Sequence, residues 1–203
     1  MVTASHKAFF NRIFEPLAKL LLFFRITPNQ VTCAGTVFGL LSCLIFLKTR
    51  NTILFFILIV FFGFFDVLDG ALARVSGRVS KFGSYLDAMC DRLFEGAVAL
   101  TVAWVSGKWE LIVLALIGAN MISYAKARAA MEVPISNTEW PDLMERAERS
   151  LIFILGFLIS DVTQLKIAGH DLFFWTLVFL NFAIYFTVIQ RLFRAKRLID
   201  LRS

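Results

Sequence analysis

Residues 52–75 read TILFFILIVFFGFFDVLDGALARV, and this stretch decides what kind of chain it is. From Ile53 to Phe65 it holds no charged residue. With its continuation to Val75 it has the length and apolarity of a helix that crosses a bilayer. Asp66 and Asp69 then interrupt it. An ionised carboxylate at such a depth is costly unless it faces a polar cavity, a cation or a counter-charge.

Working outward, the polar link Ser76 to Ser80 leads into another helix, about Lys81 to Val105, which carries Asp87 and Asp91. Spacings of three and four residues put each Asp pair on one helix face. The two helices share a short link, so they should lie antiparallel, with both pairs near the linked ends and converging on one site. Four hard oxygen ligands, with no His or Cys read as nearby, suit Mg²⁺, Mn²⁺ or Ca²⁺ rather than zinc. Gly70 and Gly83 permit close approach to that site. Arg74, one turn beyond Gly70, offers a guanidinium to phosphate. Together these features describe a pyrophosphate site. Two other readings stay open: structural ion pairs with Arg74, Arg78 and Arg92, or a cation-coupled transporter. Against the transporter, the four carboxylates cluster at one end of two adjacent helices and no inverted repeat is visible.

The whole chain agrees with a membrane setting. Of its 203 residues 59% are hydrophobic, 23 are Phe, and the mean hydropathy is +0.75. The formal charge of +6 fits either nucleic acid or anionic lipid and anionic substrates. Hydropathy favours the second, so no nucleic-acid partner is expected. Cys33, Cys43 and Cys90 lie in apolar surroundings and read as buried small hydrophobes.

Residues 1–26 read as an amphipathic interfacial helix rather than a cleaved signal. Phe10, Ile13, Phe14, Leu17, Leu20, Leu21 and Phe24 share a face opposite Arg12, Glu15 and Lys19. Residues 27–203 read as six spans in an all-α integral-membrane fold, and 1–203 as a single domain. Thr27 caps the first span and Pro28 opens it. The spans run about Pro28–Leu47, Thr52–Val75, Lys81–Val105, Trp109–Ala130, Glu145–Ser160 and from near Asp171 into the basic stretch 191–202. Met131 to Met144, with Pro134 and Pro141, is expected to be loop. The odd-numbered links hold only Lys48, Arg50, Lys108 and Lys166 of the 21 basic residues. The positive-inside rule therefore predicts cytoplasmic termini and a cytoplasmic site. His6 and His170 lie far from the Asp cluster in sequence and are expected to be solvated.

The run DVLDGALAR over 66–74, then Gly83, Asp87 and Asp91 at fixed spacing, resembles the CDP-alcohol phosphotransferase signature. The resemblance implies a phospholipid-biosynthetic transferase of the cell membrane, with a CDP-lipid donor and a homodimeric state. It implies that Asp66, Asp69 and Asp87 hold metal, Mg²⁺ or Mn²⁺ and two ions, on the CDP pyrophosphate. Asp91, also near the metal, would be the general base. Asn29, Gln30, Val31, Thr32, Gly70, Arg74, Ser80 and Gly83 would meet the donor.

A second cationic group follows. SYAKAR at 123–128, ERAER at 145–149 and Arg191 all fall on the predicted cytoplasmic side, where several could point into one pocket beside the Asp cluster. Such a pocket suits an anionic acceptor such as a phosphorylated polyol. The alternative is ordinary anchoring to anionic membrane lipid, preferred for Arg194, Lys196, Arg197 and Arg202. SYAKAR and ERAER resemble the pattern in phosphatidylinositol-phosphate and archaetidylinositol-phosphate synthases, although the connection 131–144 is longer than that family's loop. The resemblance implies an acceptor-phosphate site at Ser123, Lys126, Arg149 and Arg191, with inositol 1-phosphate as acceptor. Glycerol 3-phosphate as acceptor, or CDP-inositol as donor, are the alternatives.

Overall fold

The computed structural model describes residues 4–134 and 144–202, and for residues 4–13 the backbone only. Phe10, Ile13, Arg12 and His6 therefore lie outside the described side chains, and most of the 131–144 connection outside the described chain. Seven helices account for nearly all of the rest: α1 (Ala4–Phe23), α2 (Pro28–Thr49), α3 (Thr52–Val75), α4 (Lys81–Ser106), α5 (Trp109–Glu132), α6 (Arg146–Thr163) and α7 (Leu172–Arg202). They fall into two compact units, residues 1–98 and 99–203.

In the first unit α1 and α2 both pack on α3. Thr27 caps α2 as expected. Gln30 returns the contact, its side chain accepting from the Thr27 backbone N–H at 2.8 Å, with Pro28 in the first turn. Arg50 closes α2 in the left-handed region (φ 56°), and Asn51 opens α3 by accepting from the Leu54 N–H at 2.9 Å. The turn brings Phe46 onto Phe55, stacked 4.3 Å apart at 8°. Farther along, Phe14, Ala18, Val31, Leu68, Ala71 and Leu72 form one buried cluster.

That cluster corrects the expected face of α1. Phe14 and Ala18 turn to the protein with Leu21 and Leu22 against them, whereas Leu17, Leu20 and Phe24 are exposed. The helix has two apolar stripes because one must meet α2 and α3 while the other faces outward. Glu15 and Lys19 pair at 2.7 Å on the exposed side, and the ammonium holds the Glu15 carboxyl below its usual range.

In the second unit α5 and α6 pack on α7. Asn181 donates to the carbonyl of Leu111 at 2.9 Å, and the Tyr185 hydroxyl donates to Leu114 at 3.1 Å, tying α7 to α5. Before α7 the chain departs from the all-α expectation over one short stretch. Two antiparallel two-residue strands, β1 (Lys166–Ile167) and β2 (His170–Asp171), form a hairpin. Ala168 and Gly169 both have positive φ (51° and 82°), which a tight two-residue hairpin loop demands. Asp171 ends the hairpin and begins α7. One carboxylate oxygen accepts from the Phe174 N–H at 2.8 Å and the other from the Lys108 ammonium at 2.6 Å. Burial alone would raise this carboxyl, but those two bonds and the Lys108 charge hold it below its usual range. His170, exposed as expected, stacks on Phe174.

Among the described residues four helices are long and apolar enough to cross a membrane: α2, α3, α5 and α7. The expected six spans are met only in part, because α4 carries Lys81, Asp87, Asp91, Arg92 and Glu95, and α6 carries Arg146, Glu148, Arg149 and Asp161. Two further expectations change. Cys33 is exposed on α2 and Cys90 half-buried, leaving only Cys43 in the core, since the first two lie off the packed face of their helices. α5 also continues through Met131 and Glu132, so the connection begins at Val133.

Candidate functional site

α3 and α4 bring the signature carboxylates together as their spacing requires. Asp66, Asp87 and Asp91 each present an oxygen within 4.8 Å of the others. Three carboxylates that close repel by roughly 1–3 kcal/mol per pair, between the limits of bulk water and a protein surface. A hard divalent cation removes that cost, so the donor set fits one. Asp69 is not part of this group. It lines the same cavity but is buried, with one oxygen accepting from the Thr32 hydroxyl at 2.5 Å. The expected four-carboxylate centre is thus three clustered groups and a fourth already bonded to α2.

The cavity is completed by residues that sequence reasoning passed over: Gly35, Thr36, Phe62, Phe65 and Cys90. The signal was available for some of them. Thr36 lies one turn beyond Thr32, Phe62 one turn before Asp66, and Cys90 directly beside Asp91. Excluding cysteine from this neighbourhood was the error. Arg92, offered above as a structural partner for the carboxylates, pairs with Glu95 at 2.7 Å.

The expected donor residues divide into two kinds. A Cβ on Gly70 would lie 3.3 Å from the Arg74 guanidinium, so the small residue gives Arg74 room to fold back along α3. A Cβ on Gly83 would lie 3.1 Å from the Ser80 hydroxyl and 3.2 Å from the Asn29 side-chain oxygen, so the starts of α2 and α4 meet there. Ser80 accepts from the Gly83 N–H at 2.9 Å. Val31 and Gln30 are engaged otherwise: Val31 sits in the buried cluster and Gln30 caps α2. Any role of Val31 toward a ligand falls to its backbone, whereas of the Gln30 side chain only the oxygen is engaged in the cap.

Within the second unit, two of the cations expected at the acceptor site, Arg149 and Arg191, bond to residues of one buried cluster that includes Ile122, Met144, Ile184 and Val188. Arg191, buried on α7, donates to the Ile122 carbonyl. Arg149, 3% exposed on α6, donates to the Met144 carbonyl at 2.6 Å. Lys126 and Ser123 are half-buried on α5, and the Ser123 hydroxyl donates to the Ala119 carbonyl at 3.3 Å. The two acidic residues of ERAER have a local task, since the Glu148 side chain accepts from the Glu145 N–H at 3.0 Å and closes the start of α6. Arg197 is exposed, as expected of an anchor, though α7 stays helical through the basic stretch.

Residues 25–189 match the CDP-alcohol phosphatidyltransferase family. The archaetidylinositol phosphate synthase of Pyrococcus horikoshii is 35% identical over 189 residues, which cover 92% of this chain and 93% of that one. The phosphatidylinositol phosphate synthase of Mycobacteroides abscessus is 35% identical over 158 residues, covering 74% and 70%. The crystal structure of Mycobacterium tuberculosis phosphatidylinositol phosphate synthase with CDP-DAG bound superposes with a TM-score of 0.79 at 30% identity, covering 91% of this chain and 94% of that one. The same enzyme in complex with manganese and citrate gives 0.78, covering 90% and 88%.

Proposed function

The chain belongs to the CDP-alcohol phosphatidyltransferase family, and on that premise we propose that it moves a phosphatidyl or archaetidyl group from a CDP-lipid to inositol 1-phosphate, releasing CMP. The observation that carries the chemistry is the convergence of Asp66, Asp87 and Asp91 within 4.8 Å. A divalent cation bound there, Mg²⁺ or Mn²⁺ and in our proposal two ions, would offset the pyrophosphate charge and stabilise CMP as the leaving group. Asp66, Asp69 and Asp87 would hold it, with Asp91 also near the metal. Asp91 accepts the proton of the acceptor hydroxyl as that oxygen attacks the lipid-bearing phosphorus. Arg74 meets the donor phosphates, with Asn29, Ser80 and the small residues Gly70 and Gly83 shaping the nucleotide's approach.

The choice of acceptor is supported by the likeness to an archaetidylinositol phosphate synthase over most of both chains, and by the buried Arg149 and Arg191 around one cluster. With Ser123 and Lys126 they hold the acceptor phosphate. We further propose six spans preceded by an interfacial α1, one membrane domain over 1–203, cytoplasmic termini and site, contact with anionic membrane lipid, and a homodimer.

The test is a radiolabelled acceptor panel with CDP-diacylglycerol and CDP-archaeol in detergent. Inositol 1-phosphate should be consumed with stoichiometric CMP release. Turnover of glycerol 3-phosphate alone, or of CDP-inositol in place of CDP-lipid, refutes the assignment. Cation flux in liposomes without CMP release would return the chain to the transporter reading.

A further inference from the structure

Thr32 stands between α2 and the carboxylates in a way that the donor-binding role does not explain. Its hydroxyl lies 2.5 Å from one Asp69 oxygen and 3.2 Å from the Pro28 carbonyl. It has one proton to give, and the shorter, charge-assisted partner takes it. The register behind this contact is fixed by packing. Val31, directly before Thr32, and Leu68, directly before Asp69, belong to the same buried cluster. The alignment that buries those two side chains sets the hydroxyl opposite the carboxylate.

We propose that Thr32 is a positioning residue for the metal centre, holding Asp69 so that a single oxygen is left for the cation. The inference rests on the metal-dependent reading above. With one oxygen engaged by the hydroxyl, Asp69 binds a cation through the other alone. One-oxygen ligation suits the small, strictly octahedral Mg²⁺ and the similar Mn²⁺. Ca²⁺ takes more oxygens and accepts both from one carboxylate. Thr32 thereby favours the smaller ion, and removal of its hydroxyl frees the second oxygen and relaxes the preference.

The experiment uses the full chain in detergent, stripped with EDTA and without nucleotide. Mn²⁺ binding is measured by electron paramagnetic resonance, and Ca²⁺ binding by competition. Thr32→Val removes the hydroxyl at nearly constant shape, and Thr32→Ser restores it. The expected result is a fall of at least about threefold in the preference for Mn²⁺ over Ca²⁺ in Thr32→Val. Thr32→Ser should keep the wild-type preference, and Thr32→Val should change nothing further in an Asp69→Asn background. Thr32→Ala carries the same test where the valine variant fails to fold. An unchanged preference in the hydroxyl-free variant overturns the inference, and a raised KM for CDP-lipid beside it would return Thr32 to the donor site. Wild-type protein that retains no Mn²⁺ sinks the metal-centre reading itself, a result distinct from failure of Thr32 alone.

Discussion

Arg149→Ala is the sharpest test of the acceptor site, because the structure gives this residue two separable tasks. The residue is 3% exposed, and its guanidinium donates to the Met144 carbonyl at 2.6 Å, at the point where the chain enters α6. A charge-assisted contact of this kind contributes roughly 1.5–3 kcal/mol, and an abandoned buried carbonyl costs roughly 1–3 kcal/mol. Truncation should therefore lower the unfolding temperature in detergent even without substrate. If a further donor of the same guanidinium meets the acceptor phosphate, the loss of that contact raises the KM for inositol 1-phosphate by about tenfold to a hundredfold. The KM for CDP-lipid should stay near wild type. Arg149→Lys should recover part of the acceptor affinity, since an ammonium lacks the planar fork. The exposed Arg197→Ala serves as control and should move neither constant. Steady-state kinetics with each substrate varied in turn, beside thermal unfolding, separates the tasks. Lowered stability with an unchanged acceptor KM would leave Arg149 as a purely structural clamp on Met144. A rise confined to CDP-lipid would move it to the donor site. Either result refutes the reasoning.

Asp91→Asn should retain CDP-lipid binding while kcat falls by about a hundredfold or more, as loss of a general base requires; near-normal kcat in a rapid-quench assay would refute the role. Gly35→Ala and Gly63→Ala should move stability in opposite directions. A Cβ on Gly35 would lie 2.7 Å from the Phe65 Cβ, whereas Gly63 has open space around it. Thermal unfolding should show a cost of roughly 1–3 kcal/mol for the first and a gain of roughly 0.5–1 kcal/mol for the second. Asp171→Asn keeps a good helix cap but loses the charge facing Lys108. Because the folded carboxyl is depressed, its contribution is complete above the unfolded value near 3.9 and is lost as pH falls through the folded one. The variant should be less stable by up to about 1 kcal/mol at neutral pH, the pair being partly exposed, with the gap closing below about pH 4; a gap independent of pH would refute the charge argument.

Much of this was legible in the chain because its signals are local. Thr27 and Pro28 announce the start of α2, the apolar run from Ile53 defines α3, and the four-residue spacing of Asp87 and Asp91, with the short link 76–80, brings them to Asp66. Contacts made at long range were not legible. Nothing in the spacing told that Asp69 would bond Thr32, because that depends on how Val31 packs against Leu68. The hairpin at 166–171 was missed because Ala168, a residue without turn preference, occupies a left-handed position that the following Gly169 makes workable. The second stripe of α1 was missed because a periodic apolar face does not declare whether protein or membrane receives it.

The uneven charge of the helices also bears on how the chain is made. α3 is apolar enough to partition into lipid as it leaves the translocation machinery, with its carboxylates held back until the last turns. α4 is not, since a charged residue near the bilayer centre costs roughly 2.5–3.5 kcal/mol on insertion scales. Under the proposed six-span topology α4 must enter as the second arm of a helical hairpin. Only the short stretch 76–80 separates it from α3, and Phe94 already lies against Phe62 at 3.8 Å between ring centres. α6 stands in the same relation to α7, which at 31 residues, about 46 Å long, more than spans the hydrocarbon. Asp87, Asp91 and Arg149 are then carried by helices that a ribosome-bound chain cannot place in the membrane alone. The order of synthesis gives α4 a partner already inserted, but it leaves α6 waiting for the helix that follows it.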